Sequence, residues 1–391
     1  MTEIITEQKK LDALCKELEK ERFITVDTEF IRDSSYWAKL CLIQVAAGDR
    51  DDIVEAIDPL AEGLDLSPFH ALLQDPQILK VMHGCRQDIE IFFHETGHMP
   101  QSVFDTQIAG MVCGFGDQIS YEKLVKHLVG ADIDKSSRFT NWQKRPLNDK
   151  QLSYALSDVT YLRDIFKNME TTLEKNERGD WIIEEHELLL NPNTYDLNPE
   201  NAWKRLKIRT SKKDVIARLQ VLSAWRETLA QRRNRPRARI MRDDVIQNLA
   251  LQSLKTIKDF NKTRHFPKDI AEKDLEALLA DIKKAKEPRE LPQPPKPYRS
   301  MSNQAMATIE LLRVLLKYTC EEHHIAPKLL ATASDLEAIA QQNNADVPAL
   351  KGWRFKIFGE KALALKNGEY GVAIQDGKVK FFPIDQAILT A

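Results

Sequence analysis

Two carboxylates, two residues apart, carry the first chemical signal in this chain: Asp27 and Glu29 close the apolar run Phe23-Ile-Thr-Val. On a strand alternate side chains share a face, so both acids point one way and Thr28 the other. Two anions at the buried end of a strand repel unless a cation lies between them, and a divalent ion held by oxygen ligands is the usual answer. Alone, a D-x-E triplet fits an exposed strand end meeting a polar turn equally well. A third acid, Asp88, falls in the first turn of a helix that follows His83-Gly-Cys-Arg-Gln; for that residue by itself, serving the helix dipole is the plainer role. Tyr154 and Asp158 stand four apart on a long amphipathic helix whose apolar stripe is Leu152, Ala155, Leu156, Val159, Leu162, Phe166 and Met169. That spacing puts them together on the flank of the stripe, where a helix borders a groove. A surface Tyr–Asp pair of no consequence has the same spacing.

Other short motifs fall away on local grounds. His94-Glu-Thr-Gly-His98 matches a zinc-peptidase string, which needs both histidines on one helical face and a third ligand. Gly97 and Pro100 end the helix inside the motif, so the imidazoles are expected to diverge. Gly114-Phe-Gly116 lacks the third glycine of a dinucleotide fingerprint, and no P-loop string is present. The cysteines at 15, 41, 85, 113 and 320 form no close pairs and read as reduced thiols of a cytoplasmic protein.

The elements that must position these residues follow from periodicity. A short helix carries Leu11, Leu14, Cys15 and Leu18, and strands are expected over 23–29, 39–46, 52–57 and 79–83. Helices are expected over 67–73, 86–96, about 120–129 and 148–175, giving a mixed sheet covered by helices. From Ser211 the pattern is helical only, with stripes at about 215–229, 242–250, 253–260 and 269–286. Five prolines between Glu287 and Arg299 mark a semi-rigid linker. Helical periodicity resumes over 302–318 and 334–342, and the chain closes on a hairpin signal around Gln375-Asp-Gly377. No apolar run approaches membrane-spanning length, and the polar N-terminus carries no targeting signal.

The 391 residues carry a net charge of only −2, but its distribution is uneven. Residues 1–200 hold 21 bases against 37 acids, whereas 203–242 hold 14 bases against two acids, Asp214 and Glu227. An acidic half joined to a basic one suits a cation-holding site beside a module for polyanions. Arg232, Arg233, Arg235 and Arg237 form a basic loop with Trp203 and Trp225 nearby in sequence, and arginine forks with aromatic faces suit phosphates and single-stranded bases. A solvated loop, or one docked on acids of the same chain, is the alternative. The last segment, 291–391, is nearly balanced at 12 bases to 10 acids and is expected to attract polyanions little.

Taken in order, D-x-E on a first strand, an Asp opening a helix and Y-x-x-x-D on a long helix resemble the DEDDy 3′→5′ exonuclease superfamily. Asp27-Thr-Glu-Phe-Ile-Arg, Tyr36, Leu42-Ile-Gln-Val, Phe104-Asp-Thr-Gln-Ile-Ala and Leu147 through Tyr154-Ala-Leu-Ser-Asp158-Val-Thr-Tyr-Leu are similar to the segments of the ribonuclease D family. The stretch 211–290, with Met241-Arg-Asp-Asp-Val-Ile, resembles an HRDC module, and 300–375 a more degenerate second one. The resemblance implies a ribonuclease H-like α/β exonuclease domain over 1–205, HRDC-type all-α domains over 206–290 and 300–391, and the Pro-rich linker 291–299. It implies two divalent ions, Mg²⁺ or Mn²⁺, about 3.5–4 Å apart, held by Asp27, Glu29, Asp88 and Asp158, with Asp27 touching both. Tyr154 would orient the attacking water, and Phe30 would stack on the terminal base unless core packing claims it. The implied substrate is RNA with a free 3′ end, tRNA precursors included, trimmed to nucleoside 5′-monophosphates by a monomer. A DNA-directed exonuclease of the same superfamily and a catalytically silent RNA-binding protein are the rivals; the first lacks a helicase motif to accompany it, and the second sits poorly with five retained site residues.

Overall fold

The computed structural model describes residues 4–292 and 302–384; the linker beyond residue 292, residues 300–301 and the C-terminal 385–391 lie outside them. Two compact units result. The first takes the chain up to Thr28, Leu42–Leu190 and the described C-terminal segment; the second takes Glu29–Cys41 and the stretch from Asn191 to the linker.

The first unit is built on a five-stranded sheet. Its strands are β1 (Phe23–Ile31), β2 (Lys39–Ala47), β3 (Val54–Ile57), β4 (Leu79–Met82) and β5 (Val103–Asp105), in the spatial order β3-β2-β1-β4-β5. β3 runs antiparallel to β2, while β4 lies parallel to both β1 and β5, with Thr25 opposite Val81 and Met82 opposite Asp105. The sheet is mixed, as expected, but β5 was not legible: three residues are too few to show a period. Helices α1 (Gln8–Leu18), α2 (Ser67–Gln74), α3 (Arg86–Thr96), α4 (Thr106–Val112), α5 (Tyr121–Leu124, continued by a π turn to Val129), α6 (Asp149–Lys175) and α7 (Gly179–Leu189) accompany it. α3 stops where Gly97 turns left-handed at φ 74°, so His98 leaves the helix that carries His94 and the two do not share a helical face. α6 starts at a capping box, in which Asn148 accepts from the Gln151 backbone and Gln151 reaches back. Its stripe buries Ala155, Val159, Leu162, Phe166 and Met169. Phe166 is the hub of the core, with Phe23 at 4.6 Å and Phe104 at 5.0 Å between ring centroids.

The described C-terminal segment belongs to this same unit. It comprises α13 (Asn303–His323), α14 (Pro327–Leu330), α15 (Ala333–Gln341), α16 (Gly352–Arg354), α17 (Glu360–Lys366) and the hairpin β6 (Tyr370–Gln375) and β7 (Lys378–Pro383). Asp376 and Gly377 both take positive φ, 52° and 73°, the backbone that a two-residue hairpin turn demands. Five helices order the second unit: α8 (Lys213–Arg232), α9 (Arg237–Ile240), α10 (Asp243–Leu251), α11 (Ile257–Lys262) and α12 (Glu272–Lys284). Leu222, Val245, Leu249 and Phe260 are fully buried at its centre. Tyr36 joins this core from the β1–β2 connection. No described helix is long and apolar enough to cross a membrane.

Candidate active site

β1 and α6 carry the first two parts of the site, and one buried hydrogen bond fixes them against each other. Thr25 donates its hydroxyl to the carbonyl of Val159 at 2.8 Å. Thr25 shares its strand face with Asp27, and Val159 follows Asp158, so the bond sets the two acids on one side of the sheet. Asp27, Tyr154 and Asp158 then line one cavity of about 350 Å³, together with His83, Gly84, Gln107, Tyr121, Lys135 and Arg138. Glu29 stands two residues along β1, on Asp27's face by alternation. Phe30 falls with Thr28 on the other face and is half-buried.

Asp88 is placed differently. It is buried in the first turn of α3, and its carboxylate accepts the hydroxyl of Thr28, the residue that faces away from Asp27. It does not line the cavity. Among the described residues no three His, Cys, Asp or Glu side chains are gathered as a metal site; of the four carboxylates, Asp27 and Asp158 line the cavity. Their electrostatics still favour a cation. Burial pushes Asp158 up to about 7, against the opposing pull of the Tyr154 hydroxyl and the Arg138 charge. Asp88 is pushed up to about 7 as well, by burial first, with the Thr28 bond opposing and Asp105 adding to the rise. Carboxyls this reluctant to ionise are stabilised as anions only by a nearby positive charge, and hard oxygen donors suit a divalent ion. The donor chemistry fits such an ion, and one oxygen of Asp88 also accepts the Thr28 hydroxyl.

Several site residues went unnoticed in the sequence. Asp105, at the end of β5, accepts from the backbone N–H groups of Gly84 and Cys85 at 2.9 Å each and of Gln107 at 2.7 Å. It thereby holds the turn that presents α3 and Asp88. Gly84 sits in that turn with φ 62°, where a Cβ would meet the Gln107 side chain at 3.4 Å; the left-handed backbone favours glycine. Tyr121 donates to the Ser157 carbonyl at 3.0 Å. Its hydroxyl is held above its ordinary range by burial and by the charges of Asp158 and Asp27. Trp142 packs its buried ring 6.2 Å from that of Tyr154. Asp105, Gly84 and Trp142 lie on a three-residue strand or short turns, where no periodicity announces a role, and Tyr121 opens the short helix α5.

The basic loop meets acids of its own unit. Arg232 pairs with Asp274 at 2.9 Å, and Arg233 and Arg235 both reach Asp269, at 3.3 and 3.2 Å. Arg237 is spent otherwise: it grips the fully buried Glu227 with two bonds, of 2.5 and 2.6 Å, and also donates to the Tyr36 hydroxyl. Glu227 has no solvent to stabilise it, so removing Arg237 would leave its buried charge to Arg205 at 3.3 Å and the Tyr36 hydroxyl. A phosphate at Arg237 would have to compete with these bonds.

Residues 2–174 match the 3′-5′ exonuclease family and residues 216–282 the HRDC domain. A ribonuclease D from Nitrobacter hamburgensis is 46% identical over 380 residues, covering 96% of this chain and 98% of that protein. The chain belongs to the ribonuclease D family. A ribonuclease D from Jannaschia sp. is 45% identical over 388 residues, 98% of this chain and all of its own length. Among solved structures, Escherichia coli RNase D, described as an exoribonuclease involved in structured RNA processing, superposes with a TM-score of 0.75 at 26% identity, over 94% of this chain and 99% of its own. Ribonuclease D membership makes the chain a 3′→5′ exoribonuclease of a superfamily that uses divalent metals, with a C-terminal HRDC region.

Proposed function

We propose that this chain hydrolyses RNA from a free 3′ end, releasing nucleoside 5′-monophosphates, at the cavity lined by Asp27, Tyr154 and Asp158. The observation that carries this reading is the convergence of those three side chains, from β1 and α6, on one cavity. Asp27, Glu29, Asp88 and Asp158 would hold two Mg²⁺ or Mn²⁺ ions. Bound there, the ions would supply charge to the scissile phosphate and lower the pKa of the attacking water. Tyr154 donates to Asp158, and its hydroxyl would orient that water. Trp142 and the Tyr121 bond to Ser157 hold this wall of the cavity in place.

The domain reading is a 3′→5′ exonuclease domain over 1–205, an HRDC domain over 206–290, a linker over 291–299 and a second HRDC-like domain over 300–391. Helix lengths support the second module: α8, α9 and α10 span 20, 4 and 9 residues, and α13, α14 and α15 span 21, 4 and 9. We take Arg232, Arg233 and Arg235 to hold the RNA strand, with tRNA precursors among the substrates of a monomeric enzyme. The test is end-labelled single-stranded RNA and DNA incubated with Mg²⁺, Mn²⁺ or EDTA. Stepwise shortening of RNA from the 3′ end, abolished by EDTA, is expected. Preference for DNA would move the chain to the DNA-directed branch of the superfamily, and no hydrolysis under any condition would leave a silent RNA-binding protein.

A further inference from the structure

Phe139 is the most exposed large apolar side chain among the described residues, at 90%, and it stands beside the cavity wall. Leaving a phenyl ring in water forgoes the stabilisation that burying it would give. The turn that carries it is well anchored. Asp134 caps Ser136, Ser137 is buried, and Thr140 both donates to the Ser137 carbonyl at 2.7 Å and accepts from Gln151 of α6 at 3.0 Å. The ring is thus presented from a fixed base.

Its neighbours supply charge. Arg138 lines the cavity and lies over the Phe139 ring, 5.2 Å from the centroid, and its charge is felt by Asp158. Lys135, one turn earlier, also lines the cavity and pairs with Glu122. Two cations and an open aromatic face therefore stand together at the rim of a site whose other wall carries Asp27 and Asp158. A cation serves a phosphate and an aromatic face serves a base.

We propose that Arg138 and Phe139 form a strand clamp: Arg138 binds a phosphate next to the scissile one, and Phe139 stacks on the base of a nucleotide upstream of the 3′ end. The proposal rests on the exonuclease reading of this cavity, and it assigns single-stranded RNA as the occupant. Stacking tolerates any base, so the clamp accepts varied 3′ sequences but not a terminal base pair.

The test places 2-aminopurine at successive positions from the 3′ end of a single-stranded RNA and follows its fluorescence during titration with protein in Ca²⁺. Wild type is expected to quench at one position. Phe139→Ala and Phe139→Leu should abolish that quench and weaken binding roughly tenfold, while Phe139→Trp restores both. Turnover in Mg²⁺ should show the loss mainly in KM, with a smaller change in kcat, and Arg138→Gln should lower the salt dependence of binding. Position-specific quenching that persists in Phe139→Ala, or an unchanged KM, overturns the clamp while leaving the exonuclease reading intact. Absence of RNA hydrolysis by wild type overturns the exonuclease reading, and the fluorescence titration then decides the clamp by itself.

Discussion

At the scale of single residues the site works by withholding water from carboxylates. Asp158 is raised to about 7 by burial from an ordinary 3.8, so in the metal-free folded chain it keeps a proton that the unfolded chain has lost. Between those two values the native state binds more protons, and this group's contribution makes stability fall as pH rises. His83 and His186 act in the opposite direction, because burial holds both imidazoles below their usual range and stability is lost as pH falls below about 6.5. Comparing wild type with Asp158→Asn cancels the histidines. In EDTA the Asn variant should gain on wild type by several degrees of Tm between pH 5 and pH 7.5, and Mg²⁺ should reverse the order by stabilising wild type alone. Parallel Tm profiles would show that Asp158 ionises without penalty. In turnover, Asp158→Asn should cost several orders of magnitude. Tyr154→Phe keeps the ring against Trp142 and deletes only the hydroxyl, so a loss of roughly 10²–10⁴ in kcat is expected with RNA affinity little changed. A collapse of affinity would make Tyr154 a binding residue.

At the scale of elements, legibility tracked length and period. α6 was legible because Ala155, Val159, Leu162, Phe166 and Met169 repeat at helical spacing within its 27 residues, and with it came the Tyr154–Asp158 pairing. β1 was legible from Phe-Ile-Thr-Val, and with it came Asp27. β5, α4 and α7 were not: the first is too short, and the others follow turns whose chemistry is long-range, such as Asp105 meeting the backbone of Gly84 and Cys85. The turn of Asp88 toward Thr28 is equally invisible, since it depends on which face of β1 meets α3. The largest surprise is the C-terminal segment. The sequence reads it as a second helical module beyond a linker, yet Trp353 of α16 stacks on Trp181 of α7 at 4.3 Å with planes 5° apart. Arg354 donates to the Leu329 carbonyl at 2.8 Å and pairs with Glu184 and Glu185. Leu329 of α14 enters the core with Phe104, Ile165 and Ile182, and the Ala326 N–H reaches the Met111 carbonyl at 2.9 Å. These contacts exist only in three dimensions, so balanced charge along 291–391 gave no hint of them. Trp353→Ala should lower unfolding free energy by about 3 kcal/mol, near the range for aromatic truncation, and should be non-additive with Trp181→Ala in urea denaturation. Ending the chain before Asn303 should lower Tm and solubility. Full retention of both would mean the stacked pair forms without energetic consequence.

At the scale of the whole molecule the question is how an acidic catalytic half holds a polyanion. Residues 1–200 carry 16 more acids than bases by the counts above, so their long-range field opposes RNA until cations occupy the site. On the proposed reading the basic stretch 203–242 supplies attraction, and burial and pairing narrow which of its side chains can do so. Arg237 is committed to Glu227, and Arg226 is buried against Asp243 at 2.6 Å; neither is free to follow a strand without leaving a buried or partnered acid behind. Arg232 and Arg235 are 60% and 48% exposed at the side chain, and their pairs with Asp274 and Asp269 are surface pairs of the kind that contribute little. Exchanging such a partner for a phosphate therefore costs little. Each phosphate so neutralised contributes about −0.7 to the slope of log K against log salt for a single strand. Changing Arg232, Arg233 and Arg235 to Gln should weaken binding of long RNA, flatten that slope by roughly 1–2 and raise KM. Cleavage of a short saturating oligonucleotide should be affected far less, because the loss is of attraction and not of chemistry. Arg237→Gln should behave differently, lowering Tm through the stranded Glu227 with little effect on slope, and Glu227→Gln in the same chain should restore part of that stability. If the triple variant binds long RNA with unchanged affinity and slope, the loop is only a solvated surface, and the attraction comes from other cations, Arg138 and Lys135 at the cavity rim among them.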